Sequence, residues 1–154
     1  MRILHIVPGL EDVTCGIAVA AKIVAARQTA EGHEAVLVSS RKGCLKNLSR
    51  EEWTQVWLHS MWSPSVLLAG MRLALRDPAE RPRFVRMPHG CLDPVKIAYH
   101  ETRKKALSGL EKFIFRHCDA IAATSKEEVA WCREFLEGAK TPVMEVSLAG
   151  PGAP

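Results

Sequence analysis

Residues 2–39 decide the fold: Arg2-Ile3-Leu4-His5-Ile6-Val7, the turn Pro8-Gly9, an alanine-rich run from Gly16 to Glu31 stopped at Gly32, then Glu34-Ala35-Val36-Leu37-Val38-Ser39. The two short apolar runs carry β-branched residues and are bounded by turn formers, as buried strands are. The run between them reads as a helix, and glycine is the usual residue just past a helix C-terminus. A strand, a helix and a second strand in this order make a right-handed βαβ unit with its strands parallel.

The alternation continues outward from that unit. After a polar loop, Thr54 to His59 read as a third strand. Ser63-Pro64 then carries the N-cap and first-turn proline of a helix running to about Arg76. Arg83 to Met87 form a fourth strand, closed by Pro88-His89-Gly90. One long helix is expected over 94–117, with Ala106, Leu107, Leu110, Phe113 and Ile114 at helical spacing. Asp119 to Thr124 are the fifth strand, and Ser125-x-x-Glu128 is a capping box for a helix carrying Val129, Cys132 and Leu136. That helix stops near Gly138, Val143 to Leu148 follow as a sixth strand, and Gly150-Pro151-Gly152 ends the regular structure. The expectation is one doubly wound α/β domain over residues 1–150. Its sheet is Rossmann-like, six-stranded and mostly parallel, in order 2-1-3-4-5-6, with helices on both faces and residues 151–154 as a tail or the start of a linker. Its ligand crevice should lie at the carboxyl ends of the strands, between the first and third.

Composition excludes several classes. At 154 residues a folded chain hides roughly 70% of its unfolded surface, enough for a core without disulfides or metal. No apolar stretch approaches the ~20 residues of a membrane span, and the N-terminus lacks the pattern of a signal peptide. Five cysteines, odd in number and without a C-x-x-C pair, read as reduced thiols in a cytoplasmic protein. Cys118 and Cys132 fit as small buried hydrophobes. Charge is uneven: from Arg72 to Arg116 eleven Lys/Arg face five Asp/Glu. A basic middle suits phosphate, a membrane surface or nucleic acid, and equally a solvated basic face.

Four features sit where a crevice would be. Thr14-Cys15-Gly16 opens the first helix, where free backbone N–H groups and the helix dipole suit a phosphate. The same glycine also fits a plain helix start. No G-x-G-x-x-G and no G-x-x-x-x-G-K-[ST] is present, which disfavours NAD and P-loop nucleotides. His59 and His89 end the third and fourth strands, where an imidazole could bond substrate hydroxyls or stabilise developing charge. A lone histidine at a strand end is more often structural, but two on neighbouring crevice loops point to a site, His89 more than His59. His5 and His117 read as structural. The basic residues of helix 94–117 could lie on anionic lipid. No metal-ligand spacing and no G-x-S-x-G elbow occurs.

Together these pieces resemble the N-terminal Rossmann-like domain of GT-B glycosyltransferases, in particular retaining family 4 (glycosyl transferase group 1). The resemblance rests on the opening strand, Cys15-Gly16 before an alanine-rich helix and Ala30-Glu31-Gly32-His33-Glu34-Ala35-Val36. It continues through Val56-Trp57-Leu58-His59-Ser60-Met61-Trp62 and Met87-Pro88-His89-Gly90-Cys91-Leu92-Asp93-Pro94 to Asp119-Ala120-Ile121-Ala122-Ala123-Thr124-Ser125. It spans nearly the whole chain in order, the P-H-G-x-L-D-P and D-A-I-x-A-T-S segments being the most specific. The resemblance implies that Thr14, Cys15 and Gly16 meet the donor diphosphate and that His89 is the catalytic histidine at the transferred sugar. His59, Trp62 and Gly90 would lie on the acceptor side. It implies transfer from a nucleotide-sugar to a glycan or lipid-linked acceptor in envelope polysaccharide or glycolipid synthesis, with no metal, no further cofactor and no nucleic acid partner. The protein would then be cytoplasmic, peripheral at the inner membrane face through helix 94–117.

Two features depart from the family. Residues 148–154 lack its P-N-G-hydrophobic-D continuation, and the donor-binding domain with its E-x7-E motif is absent. A partner domain is therefore expected, in cis or as a separate chain, and without it the isolated half should be inactive. Apolar surface is expected near loops 9–16, 60–64 and 88–94. The alternative is a non-catalytic module of the same fold binding a glycan, lipid or protein. A flavodoxin-like or nucleotide-binding regulator is more distant, since no flavin-binding run or phosphoacceptor Asp cluster is present.

Overall fold

A computed structural model of the chain describes residues 1–41, 43–50 and 52–149. Among them, six strands form a single parallel sheet in the order β2-β1-β3-β4-β5-β6, with β1 Arg2–Val7, β2 Glu34–Ser39, β3 Gln55–His59, β4 Arg83–Met87, β5 Ala120–Ala123 and β6 Val143–Glu145. The order reverses between β1 and β3, so the crevice opens above their carboxyl ends, as in other doubly wound sheets. The fold is the α/β, Rossmann-like one expected. The boundary at 150 and the tail 151–154 lie outside the described residues.

The register separates two faces. His5, Trp57, Val85 and Ala120 are paired across the sheet on one face; Ile6, Leu58, Arg86 and Ile121 are paired on the other. The first face is covered by α1 (Gly16–Ala30), whose Ala18, Ala21 and Val24 are buried. The second carries the larger core, built with α2 (Cys44–Leu48), α3 (Pro64–Ala74), α5 (Glu101–His117) and α6 (Lys126–Leu136). Burial on both faces explains why β1 after Arg2 is apolar at every position but His5 instead of alternating.

Three local expectations are corrected. Residues 94–117 form two helices, α4 (Pro94–Ala98) and α5, separated by Tyr99 in an extended conformation and His100 in the left-handed region at φ 58°. A straight helix over that span would be about 36 Å long, twice the ~17 Å of a five-residue strand. The break lets α5 follow the sheet while α4, capped by Asp93, stays at its rim. The sixth strand ends at Glu145, not Leu148. Beyond it Val146 still donates its N–H to Ala123 O at 2.7 Å, and Val146 and Leu148 pack on the α1 face, where Arg27 of α1 donates to the carbonyls of Ser147 and Ala149. The polar loop before β3 holds α2, too short to show a periodicity.

Gly70 marks the tightest helix contact. A Cβ built there would stand 2.9 Å from Ile114 Cδ1 and 3.0 Å from its branched Cγ2, against Leu58 Cδ1 at 3.3 Å. Gly109, on the exposed side of α5, has nothing within 4 Å. Gly109→Ala should therefore add about 0.5–1 kcal/mol of stability through helix propensity alone. Gly70→Ala should lose about 1–2 kcal/mol, because overpacking outweighs the same propensity gain. Thermal midpoints moving in the same direction would refute the contact.

Candidate active-site crevice

The turn after β4 places the first functional side chain. His89 and Gly90 both have positive φ, 56° and 71°, and Cys91 N–H donates to Pro88 O at 3.3 Å. Glycine takes that conformation freely, and histidine is among the side chains enriched there. The turn is held from beneath by Glu128 of α6. Its carboxylate accepts the Gly90 N–H, together with the Thr124 N–H at 2.6 Å and the Thr124 hydroxyl at 2.8 Å. Glu128 was expected only as the capping-box acid. Ser125 Oγ does accept the Glu128 N–H at 3.2 Å, but the Glu128 carboxylate is spent on the crevice turn.

The opposite wall is the start of α1. Cys15 is its N-cap, its thiol donating to Pro8 O and not capping the helix, and the first turn holds no acidic residue. Thr14 is folded back, its N–H and its hydroxyl both on Asp12 Oδ1 at 2.9 and 2.7 Å. Gly16 is exposed, with open space where a Cβ would be. A cleft of about 520 Å³ joins the two walls, bringing Cys15, Gly16 and Ile17 together with His89, Lys96 and Thr124. Of the expected phosphate loop, Cys15 and Gly16 reach this cleft. Thr14 does not line it.

Behind His89 lies a row of rings. His89 Nε2 is 2.8 Å from His59 Nδ1, His59 Nε2 is 2.9 Å from His5 Nδ1, and His5 Nε2 is 2.7 Å from Gln28 Oε1. His5 and His59 are fully buried beside Trp57, whose ring stacks on both. Burial holds the His5 and His89 imidazoles down to about 4, and His59 well below its ordinary value. His5 is held up slightly by Gln28. His89 is pulled up by Glu128 and down by Lys96. All three rings are therefore neutral near pH 7. His5 was expected to be structural only: inside an apolar strand, nothing local distinguishes it from a core residue.

The acceptor-side candidates are placed differently from His89. His59 stands behind it, fully enclosed, with both nitrogens occupied. Trp62, at φ 64°, donates its indole N–H to Cys91 O and packs edge-on against Phe135. Gly90 gives its N–H to Glu128. None of these three lines the cleft with His89. Of the exposed large apolar side chains, Val13 lies in loop 9–16 and Val95 follows loop 88–94; none lies in 60–64, where Met61 is buried, and others, such as Leu75, lie away from all three loops. The basic residues of 94–117 are largely committed. Lys112 and Arg116 pair with Glu137, Lys105 pairs with Glu101, and Arg103 donates to Trp62 O.

Among the described residues no group of three or more His, Cys, Asp or Glu could hold a metal, and no helix is long and apolar enough to cross a membrane. The five cysteines are free. Burial pushes the Cys118 and Cys132 thiols up to about 12, which leaves them inert packing groups. No protein-family model matches the sequence, and no curated protein matches it.

Proposed function

We propose that the chain is the acceptor-binding half of a retaining GT-B glycosyltransferase of the family 4 type, moving a sugar from a nucleotide-sugar to a glycan or lipid-linked acceptor. One observation carries the reading: an uncapped helix start at Gly16 and a neutral imidazole at His89 line one cleft, and Lys96 lines it too. Free N–H groups and an ammonium suit a departing diphosphate. A neutral imidazole beside them can accept from a sugar hydroxyl and hold the ring while positive charge develops at the anomeric carbon. An imidazolium there would oppose that charge. The donor-binding domain, in cis or as a separate chain, supplies the nucleotide contacts. Cell-envelope synthesis at the cytoplasmic membrane face belongs to the same proposal, with exposed Val95 and Tyr99 as its membrane contacts.

A second reading, a non-catalytic module binding a glycan, lipid or protein, is favoured by the placement of His59, Trp62 and Gly90, each committed to internal bonds. Transfer separates the two. With a donor-binding domain present, nucleoside diphosphate release from UDP- and GDP-sugars is measured against extracted glycolipid acceptors. His89→Asn is the informative variant, because asparagine tolerates positive φ where alanine is strained. It should lower kcat on the order of 10²-fold in a protein that remains folded at the assay temperature, its stability lowered only by the roughly 1–3 kcal/mol of His59 Nδ1 losing its partner. Release that is equal in both proteins, or absent from the wild type with every donor, rejects the catalytic reading.

A further inference from the structure

The row Gln28–His5–His59–His89 has a direction. A neutral imidazole carries one N–H and one lone pair, so in a line of neutral rings the group at one end fixes every bond. Gln28 Oε1 can only accept, and it faces His5 Nε2 at 2.7 Å. His5 therefore carries its proton on Nε2 and offers the Nδ1 lone pair to His59 Nε2–H at 2.9 Å. His59 in turn offers Nδ1 to His89 Nε2–H at 2.8 Å. What remains is His89 Nδ1, which has no partner among the described residues and belongs to a side chain on the cleft wall.

We infer that Gln28 is a positioning residue acting through two buried rings. It fixes all three histidines as Nε2–H tautomers, so that the crevice presents a bare Nδ1 and takes a ligand group that donates a hydrogen bond, such as a sugar or polyol hydroxyl. Gln28 lies in the last turn of α1, whose first turn forms the other wall of the same cleft. One helix thus supplies both the open amides at the mouth and the acceptor that orients the imidazoles. An amide turned to offer its NH2 to His5 would reverse every bond and leave His89 Nδ1–H as a donor. The ring contacts along the row, His5 tilted against His59 with centroids 5.2 Å apart and His59 stacked on His89 at 5.1 Å, hold the rings in register for either direction. The side chain at position 28 chooses between them. The tautomer half of the inference stands on the row alone; the ligand half rests on the reading of His89 as the ligand-contacting ring.

Long-range 1H–15N correlation at pH 8 on the labelled chain reads the tautomers directly. The wild type should show Nε2–H at His5, His59 and His89. Gln28→Glu, an acceptor only, should keep that pattern. Gln28→Lys, a donor only, should move the proton of His89 to Nδ1. A wild-type His89 protonated on Nδ1, or a folded Gln28→Lys protein with His89 unchanged, overturns the tautomer half. The wild type and Gln28→Glu decide it if the lysine variant does not fold. Titration with methyl glucoside, whose hydroxyls both donate and accept, should move the unprotonated His89 Nδ1 resonance upfield in the wild type and in Gln28→Glu. In Gln28→Lys the same nitrogen carries the proton, can only donate to a hydroxyl oxygen, and should not make that upfield move. Tautomers as expected without that shift would overturn the ligand half, and the role given to His89 with it, while the row stands.

Discussion

Glu111→Ala is expected to lose about 3–5 kcal/mol of stability, the cost of leaving a buried charge without its partner. Glu111 on α5 and Arg86 on β4 are both fully buried, with Arg86 Nη2 donating to Glu111 Oε2 at 2.5 Å. The other carboxylate oxygen accepts the backbone N–H of Trp62 at 2.8 Å, in the turn that follows β3. Among the described residues Arg86 Nε and Nη1 have no hydrogen-bond partner, and the guanidinium rests against the Phe115 ring at 5.9 Å. Arg86 has no second anion among the described residues to fall back on, and the loss is large against the ~5–15 kcal/mol that holds a domain of this size. Arg86→Met with Glu111→Met should recover most of the loss, since an apolar pair of similar volume removes both charges together. Only the Trp62 N–H then stays unmet. Urea unfolding measures both proteins. A single-variant loss below 1 kcal/mol would mean that water reaches the pair.

The pair also shows where sequence reading stops. Arg86 sits between Val85 and Met87 in a strand buried on both faces, and Glu111 lies in a helix rich in charge. Taken singly, each is one member of a basic region and its counter-charge. What makes them a buried pair is the crossing of α5 over β4, which no local pattern encodes. Strands β1, β2 and β4 are legible to the residue because apolar runs between turn formers are local signals. The break at His100 is not, because the helical spacing from Ala106 to Ile114 belongs to α5 and says nothing of residues 94–98. Val146 and Leu148 look like strand because they are apolar; they are apolar because they cover the sheet beside α1. The crevice follows the same division. Gly16 and His89 follow from the strand-end rule, whereas Gln28 and His5 join the site only through contacts 23 and 54 residues apart in the chain.

The second large effect expected is loss of stability between pH 6.5 and 4. His5 and His89 are held down to about 4 in the folded protein and His59 well below its ordinary value, mainly by burial. In the unfolded chain each returns toward its ordinary value of about 6.5. A depressed pKa means that the unfolded state binds more protons throughout that window, so stability rises with pH there. The contribution is complete above about pH 6.5 and disappears as the pH falls toward 4. For a single ring, a pKa near 4 in place of 6.5 corresponds to roughly 3 kcal/mol. The three do not simply add, because a proton on His59 repels one on either neighbour. Among the facing charges, Arg86 opposes protonation of His59, Lys96 opposes that of His89, and Glu128 favours it. The surface carboxylates held below their ordinary range, among them Glu34, Glu101 and Glu137, lose their stabilising pairs only at lower pH. The interval above 4.5 therefore belongs to the histidines. Urea unfolding at pH 7.5, 6, 5 and 4.5 should give a stability falling by about 1.4 kcal/mol per pH unit for each extra proton taken up on unfolding. More than one such proton is expected between pH 6 and 4.5, and His89→Asn should lower that number by one. A stability unchanged from pH 7.5 to 5 would show the rings free to charge in the folded state. That result would remove the physical ground for a neutral imidazole in the crevice.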